Sequence, residues 1–223
     1  MINNSRLVVI EGLDGSGKST QFEIIDSIFA QNNIPHKSIS FPDYNNPSSS
    51  LVKMYLGGEF SQNAEDINAY AASSFYAVDR YASFKLFWED AYNNGDIILA
   101  SRYVTSNAIY QMVKCKKNEW DSYLDWLYEY EYEKLGLPKP DLVIFLDMPV
   151  EVSQRLMTSR YDGDESKKDI HEVNVEFLKN CREAALYAAD KQNWKIINCS
   201  DGKAPLSVNT ITDKIMEEIK KLS

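Results

Sequence analysis

The sequence is poor in the residues that build metal centres, disulfide scaffolds and membrane spans. Its 223 residues include only three cysteines, without a Cys-x-x-Cys pair, and two histidines. These numbers disfavour a structural zinc site or a disulfide framework and favour a reducing compartment. The longest apolar runs, such as residues 142–146, have the length of a strand, whereas a membrane helix needs about 20 residues. With no apolar signal segment at residues 1–6, we expect a cytoplasmic protein without a membrane partner.

Basic residues are also in deficit. The chain has 24 Lys and Arg against 33 Asp and Glu, a formal net charge of −9. Net negative charge disfavours binding to a polyanion such as DNA or RNA, so we expect no nucleic-acid partner. Any phosphate that the protein handles must be bound by a local cluster of backbone dipoles and cations. The apolar share of 44% is that of an ordinary globular domain.

Short apolar runs alternate with longer amphipathic stretches along the chain. The pattern predicts strands at 7–10, 37–41, 97–100, 141–147 and 195–198. It predicts helices at 18–32, 47–57, 63–94, 119–133, 150–160, 172–191 and, after a Ser207 cap, over the last residues. Such alternation is typical of a parallel sheet covered on both faces. We therefore predict one α/β domain over residues 1–223, with a five-stranded parallel sheet flanked by helices.

A phosphate-binding motif follows the first predicted strand. Residues 12–20 read GLDGSGKST and satisfy G-x-x-x-x-G-K-[ST]. Glycines let successive backbone N–H groups face phosphate oxygens, Lys18 reaches the β- and γ-phosphates, and the Ser19 hydroxyl ligates Mg²⁺. We expect a P-loop that binds ATP and Mg²⁺, with Lys18 as a catalytic residue. The residues expected to bind ATP are Gly12, Asp14, Gly15, Ser16, Gly17, Lys18, Ser19 and Thr20.

Later blocks indicate the second substrate. No N-K-x-D guanine motif occurs, but Phe41-Pro42-x-Tyr44, Asp79-Arg80 and the run SRYVTSNAIYQ at 101–111 follow the P-loop. With these blocks and the segment 155–172, the chain resembles thymidylate kinases over nearly its whole length. The resemblance implies a P-loop kinase fold and transfer of the γ-phosphoryl group of ATP to dTMP, giving dTDP. It also implies a homodimer.

The acceptor site is predicted partly from residue chemistry and partly from the resemblance. A monophosphate needs cations, and Arg80 and Arg102 each offer a bidentate fork. Surface pairing of Arg80 with a nearby aspartate, or a loop salt bridge of Arg102, is the alternative. The resemblance implies that Tyr76 stacks on the base, that Asn107 hydrogen-bonds it and that Tyr110 lies over the sugar, although core packing would also explain both tyrosines. The expected dTMP-binding residues are Asp14, Phe41, Pro42, Tyr44, Tyr76, Arg80, Arg102, Ser106, Asn107, Tyr110 and Gln111.

Charge on the transferred group needs a further cation. Some thymidylate kinases carry an arginine after the P-loop aspartate, but this chain has Gly15 there. Members of the other class place basic residues in a mobile LID, here about residues 155–172, and Arg155 and Arg160 are the candidates. A solvated charged loop is the competing interpretation. The resemblance also suggests Glu172 as a weak metal candidate beside Ser19.

Ser101 departs from the family pattern, which has an aspartate before the Arg-Tyr pair, and so does Asp43, where a basic residue is common. Three alternatives therefore stay open. A deoxynucleoside kinase would need a carboxylate on the second strand, and residues 37–41 carry none. A kinase for another pyrimidine monophosphate would share the site. A non-catalytic nucleotide-binding switch is favoured by Ser101 alone.

Overall fold

Five apolar segments pair as parallel strands in the order β2–β3–β1–β4–β5. The computed structural model describes residues 6–61, 63, 66–160 and 175–222, without the side chains of 158–160. All five predicted strands are confirmed within two residues at each end. The strands are β1 Arg6–Gly12, β2 His36–Ser40, β3 Ile97–Ser101, β4 Leu142–Asp147 and β5 Lys195–Asn198.

Helices cover both faces of this sheet, as the alternating sequence pattern predicts. Leu7 and Val9 of β1 pack into one apolar cluster, and Val8 and Ile10 pack into a second cluster on the opposite face. All four side chains are fully buried, because successive residues of a strand point to opposite faces. The sheet class expected from the sequence, an α/β sheet with two covered faces, is confirmed.

Most predicted helices are present, with small differences at their ends. The described helices are α1 Lys18–Gln31, α2 Ser50–Leu56, α3 Ala69–Ser83, α4 Glu89–Asn93, α5 Thr105–Tyr110, α6 Trp120–Tyr128, α7 Val150–Arg160, α8 Val175–Gln192 and α9 Val208–Lys220. The helix expected from residue 63 begins at Ala69, since Asn68 caps it by accepting from the Ala71 N–H at 2.9 Å. The short helix α5 has no counterpart among the sequence predictions.

Two π-helical turns interrupt the helical segments. One, Phe84–Trp88, joins α3 to α4, and the other, Glu129–Lys134, extends α6. A π-turn inserts a residue into the helical repeat and therefore changes which side chains face inward. In the second turn, Glu131 is buried whereas its acidic neighbours Glu129 and Glu133 are exposed.

The sheet order sets the position of the functional site. The chain leaves β1 toward β3 and β2 on one side and later adds β4 and β5 on the other. Ligands of open α/β sheets bind at this kind of switch point, outside the carboxyl ends of the strands. Gly12 ends β1 at this edge, and Ser101 ends the neighbouring β3. Within the described part of the chain, no helix has the length and apolar character that crossing a bilayer requires.

The last helix offers a direct test of the fold. The Ser207 side chain caps α9 by accepting from the Thr210 N–H at 3.1 Å. We expect Ser207→Ala to lower the free energy of unfolding by about 1 kcal/mol, because one N–H of the first turn loses its acceptor. Urea titration measures the change. Ser207→Asp, which keeps an acceptor oxygen, is the control, and equal stability of all three proteins would contradict the assignment of the cap.

Candidate active site

The loop between β1 and α1 has the conformation that phosphate binding requires. Gly17 caps α1 with a left-handed backbone (φ 86°), and Lys18 is the first residue of the helix. Several N–H groups at this end are free of intrahelical partners, and the helix dipole favours an anion beside them. The Ser16 hydroxyl is buried, and among the described residues it neither donates nor accepts a hydrogen bond. Ser19 and Thr20 are exposed on the first turn.

Gly15 is required by both backbone conformation and space. Its φ is +75°, and a Cβ added to it would lie 2.9 Å from the Ser153 carbonyl oxygen and 2.9 Å from Met157 Cγ. Both contacts come from α7, which packs directly on the loop. A side chain at this position would have to displace that helix, so the P-loop has no room for an arginine here in this conformation.

A cavity of about 310 Å³ opens beside the loop. All eleven residues expected to bind dTMP line it, although they come from four separate stretches of the chain. Ser40, Leu56 and Tyr103 complete the lining and were not predicted. Tyr76 and Tyr110 are thus cavity residues as well as packing residues. The lining combines rings, two guanidinium groups, amides and a carboxylate: Asp14, Phe41, Pro42, Tyr44, Tyr76, Arg80, Arg102, Ser106, Asn107, Tyr110 and Gln111.

Arg102 lines the cavity and also contacts the P-loop. Its backbone adopts a left-handed conformation (φ 66°) and its N–H donates to the Ile10 carbonyl of β1 at 3.1 Å. Its Nη2 donates to Asp14 Oδ1 at 2.6 Å, and its guanidinium lies 4.9 Å from the centre of the Tyr110 ring. Burial lowers the pKa of this guanidinium, but Tyr110 and Asp14 raise it above the ordinary arginine value. Arg102 is therefore a fixed positive charge next to the P-loop.

Arg80 is placed differently from the expectation. It is buried and forms a bidentate pair with Glu131, with Nε to Oε2 at 2.7 Å and Nη2 to Oε1 at 2.6 Å. In this structure, the Nε and Nη2 groups that were expected to bind a phosphate are occupied by a carboxylate 51 residues away. The alternative of a surface pair is wrong, since Asp79 instead accepts from the backbone N–H of Asp43 at 2.9 Å. Nη1 donates to the Tyr103 carbonyl at 3.3 Å, and Arg80 still lines the cavity.

Asn107 and Gln111 provide the amide groups of the cavity. Asn107 Nδ2 donates to Glu131 Oε1 at 3.1 Å and to the Ser73 carbonyl at 3.2 Å, so both of its protons are in use. Gln111 Oε1 is buried and has no hydrogen-bond partner among the described residues. Asn107 Oδ1 is therefore the amide oxygen left to accept from a ligand.

Glu11 connects the end of β1 to the beginning of α5. It was not among the predicted site residues. This fully buried carboxylate accepts from the Tyr103 N–H at 3.2 Å, from Thr105 Oγ1 at 2.7 Å and from Ser106 Oγ at 2.8 Å. It lies directly before Gly12, while its partners begin α5, the helix that carries Asn107. The sequence did contain a signal for this residue, because Glu11 is an acid at the end of an apolar strand segment and directly precedes the P-loop motif.

A second cavity, of about 300 Å³, lies on the other side of the loop. Its walls are largely apolar and come from the P-loop, α7 and the start of α9: Gly15, Ser16, Gly17, Thr20, Gln21, Met148, Leu156, Met157, Pro205, Leu206, Val208 and Ile211. Gln21 is fixed internally, with Nε2 on the Val208 carbonyl and Oε1 on Thr212. The cavity suits a flat apolar group attached to a phosphate chain bound by the loop.

The LID candidates are described only in part. Arg155 is exposed on α7, and its Nη2 donates to the Lys203 carbonyl at 2.5 Å, beside the second cavity. The side chain of Arg160, the residue Glu172 and most of the segment 155–172 lie outside the described residues. Ser101 is buried at the end of β3, and its carbonyl accepts from the Phe41 N–H at 3.0 Å. Among the described residues, no group of three or more His, Cys, Asp or Glu side chains is suited to a metal.

Comparison with known proteins agrees with this arrangement. A profile of the family "Thymidylate kinase" matches residues 10–209. A thymidylate kinase from Dictyostelium discoideum is 30% identical over 100% of this chain and 90% of its own length, and one from Mycobacterium tuberculosis is 28% identical over 84% and 87%. The structure of a Candida albicans thymidylate kinase superposes with a TM-score of 0.72 at 24% identity, covering 97% of this chain and 92% of that one, which supports the fold. The chain belongs to the thymidylate kinase family.

Proposed function

We propose that the protein transfers the γ-phosphoryl group of ATP to dTMP, producing dTDP and ADP. The observation that carries this proposal is the pair of cavities on the two sides of one P-loop. Adjacent loop residues line different cavities, Asp14 the polar one and Gly15 the apolar one. A donor in one and an acceptor in the other would meet at the loop, which is the geometry that direct phosphoryl transfer needs.

On the donor side, the P-loop N–H groups and Lys18 bind the phosphate chain of ATP. The apolar cavity takes the adenine ring, with Arg155 at its rim. Mg²⁺ fits this site as a companion of ATP, because the ion commonly takes one or two protein ligands and completes its shell with phosphates and water. Ser19, exposed on the first turn of α1, is the residue that would hold it. When bound, it would neutralise phosphate charge.

On the acceptor side, Arg102 is the cation for the dTMP phosphate, since it stays partly exposed and meets Asp14 through Nη2, whereas Arg80 is fully buried and meets both oxygens of Glu131. Asn107 offers Oδ1 to the N3–H of the base, because its two amide protons are taken. Tyr76 stacks on the ring, and Tyr110, which donates to Asp14 at 3.3 Å, lies over the sugar. As the phosphoryl group moves, the developing charge is stabilised by Lys18 and by arginines of the LID, for which Arg155 and Arg160 remain our candidates.

The same proposal includes a homodimer acting in the cytoplasm. Helix α3 exposes Val78 and Tyr81, three residues apart on one face, which suits packing against a second copy. The three cysteines are free thiols in this structure, as a reducing compartment would favour. Light scattering of the purified chain would give the mass directly.

The acceptor is tested by ADP formation from ATP and Mg²⁺ with dTMP, dUMP, dCMP or thymidine supplied separately. We expect strong turnover with dTMP and none with thymidine, because only the monophosphate can pair with Arg102. Turnover with thymidine alone would indicate a deoxynucleoside kinase instead. Tight ATP binding without turnover on any acceptor would indicate a nucleotide-binding switch in which Ser101 marks the lost activity.

We expect Lys18→Ala to lower kcat at least about a hundredfold, because a cation on the reacting phosphates is lost. Lys18 is largely buried at the start of α1 but belongs to neither apolar cluster, so the change in melting temperature should be small. Initial rates at saturating ATP and dTMP measure the effect. Lys220→Ala, an exposed substitution on α9, is the matched control, and an active Lys18→Ala enzyme would overturn the mechanism.

We expect Gly15→Ala to raise the KM for ATP about tenfold, because the methyl group strains a left-handed residue and meets α7. The KM for dTMP should stay within about twofold, because Gly15 does not line the acceptor cavity. Gly95→Ala is the control, since Gly95 also has a left-handed backbone (φ +93°) but open space around an added Cβ. Equal KM values for ATP in the two variants would show that the contact with α7 is unimportant.

A further inference from the structure

Glu131 makes contacts that suggest a role beyond neutralising one arginine. Its side chain is fully buried, and Oε1 accepts both from Arg80 Nη2 at 2.6 Å and from Asn107 Nδ2 at 3.1 Å. Oε2 accepts from Arg80 Nε at 2.7 Å. One carboxylate thus contacts both a guanidinium and an amide that line the acceptor cavity.

The orientation of the Asn107 amide follows from these contacts. Its nitrogen faces a carboxylate oxygen of Glu131 and the Ser73 carbonyl at 3.2 Å, and neither group has a proton to donate. If the amide were flipped, its oxygen would face two acceptor atoms and its NH₂ group would lose both acceptors. Unsatisfied polar groups are costly in free energy in a residue that is only 2% exposed. Oδ1 is therefore the one polar atom of this side chain that can meet a ligand.

We propose that Glu131 is a positioning residue that sets the base specificity of the acceptor site by fixing the amide of Asn107. An acceptor oxygen pairs with the N3–H of thymine or uracil, whereas N3 of cytosine is itself an acceptor and is repelled. The inference rests on the proposed function, because it concerns which monophosphate that site takes. It predicts selection of dTMP and dUMP over dCMP, and it does not concern the choice between thymine and uracil, whose N3–H groups are alike.

The π-turn explains why this carboxylate, among several nearby, is the one in the site. Glu129 and Glu133 lie two residues away on either side, are more than half exposed, and pair with Lys134 and Lys139 at the surface. Only Glu131 of this turn is buried. Glu133 therefore supplies a matched control, because its substitution removes the same charge from the same turn without reaching the cavity.

The experiment compares kcat and KM for dTMP, dUMP and dCMP in the unmutated protein, Glu131→Gln and Glu133→Gln. A glutamine at 131 has one acceptor oxygen and an NH₂ group, so it cannot accept three hydrogen bonds and frees the Asn107 amide to turn. We expect the ratio of kcat/KM for dTMP to that for dCMP to fall about tenfold in Glu131→Gln. The dissociation constant for ATP should stay within about twofold, and Glu133→Gln should match the unmutated protein.

Glu131→Asp covers the case in which the glutamine variant fails to fold. It keeps a negative charge beside Arg80 but withdraws the carboxylate by one methylene, so the ratio should also fall while thermal unfolding stays cooperative. A folded variant at 131 whose dTMP-to-dCMP ratio stays within about twofold of the unmutated value would overturn the inference alone. An unmutated protein without dTMP turnover would overturn the proposed function and this inference together.

Discussion

Charged groups that are removed from water at the carboxyl edge of the sheet must find partners inside the protein, and this requirement determines most of the site. An unpaired buried charge costs several kcal/mol, roughly the margin by which a domain is stable. Glu11 meets the requirement with two hydroxyls and a backbone N–H, and Glu131 meets it with Arg80 and an amide. Arg102 meets it with Asp14.

These pairings connect parts of the chain that are distant in sequence. Glu11 links the end of β1 to the beginning of α5, and Glu131 links the π-turn after α6 to α3 and α5. Tyr103 joins the two, since its N–H donates to Glu11 and its carbonyl accepts from Arg80, so the end of β1 and the residues of the acceptor base share one hydrogen-bonded set. Such a set gives geometric precision more than stability, because buried ion pairs contribute little net free energy of folding. Precision is what an in-line transfer between two bound nucleotides needs.

The sequence predicts the sheet and the P-loop well because both depend on local patterns, whereas most residues of the acceptor cavity were predicted from the resemblance to thymidylate kinases. Apolar runs indicate the strands, and the P-loop and the residues 101–111 follow strands whose carboxyl ends meet at one edge. The partner of Arg80 could not be predicted in this way, since Glu131 lies 51 residues away and is turned inward by a π-helical repeat that amphipathic spacing does not indicate. The alternative that the sequence offered was pairing with Asp79 or Asp43, but the carboxylate of Asp79 instead accepts from the backbone of the loop after β2.

The backbone at Gly15 constrains where the last cation can come from. A left-handed residue whose Cβ direction is filled by the Ser153 carbonyl cannot carry a long side chain, and the loop therefore contributes Lys18 alone as a cation. The acceptor cavity adds Arg102, whose charge is shared with Asp14, while the charge of Arg80 is offset by Glu131. Transfer of a phosphoryl group spreads negative charge over three oxygens. Apart from Mg²⁺, further positive charge has to come from outside the two cavities, which is why α7 and the segment that follows it are the proposed source.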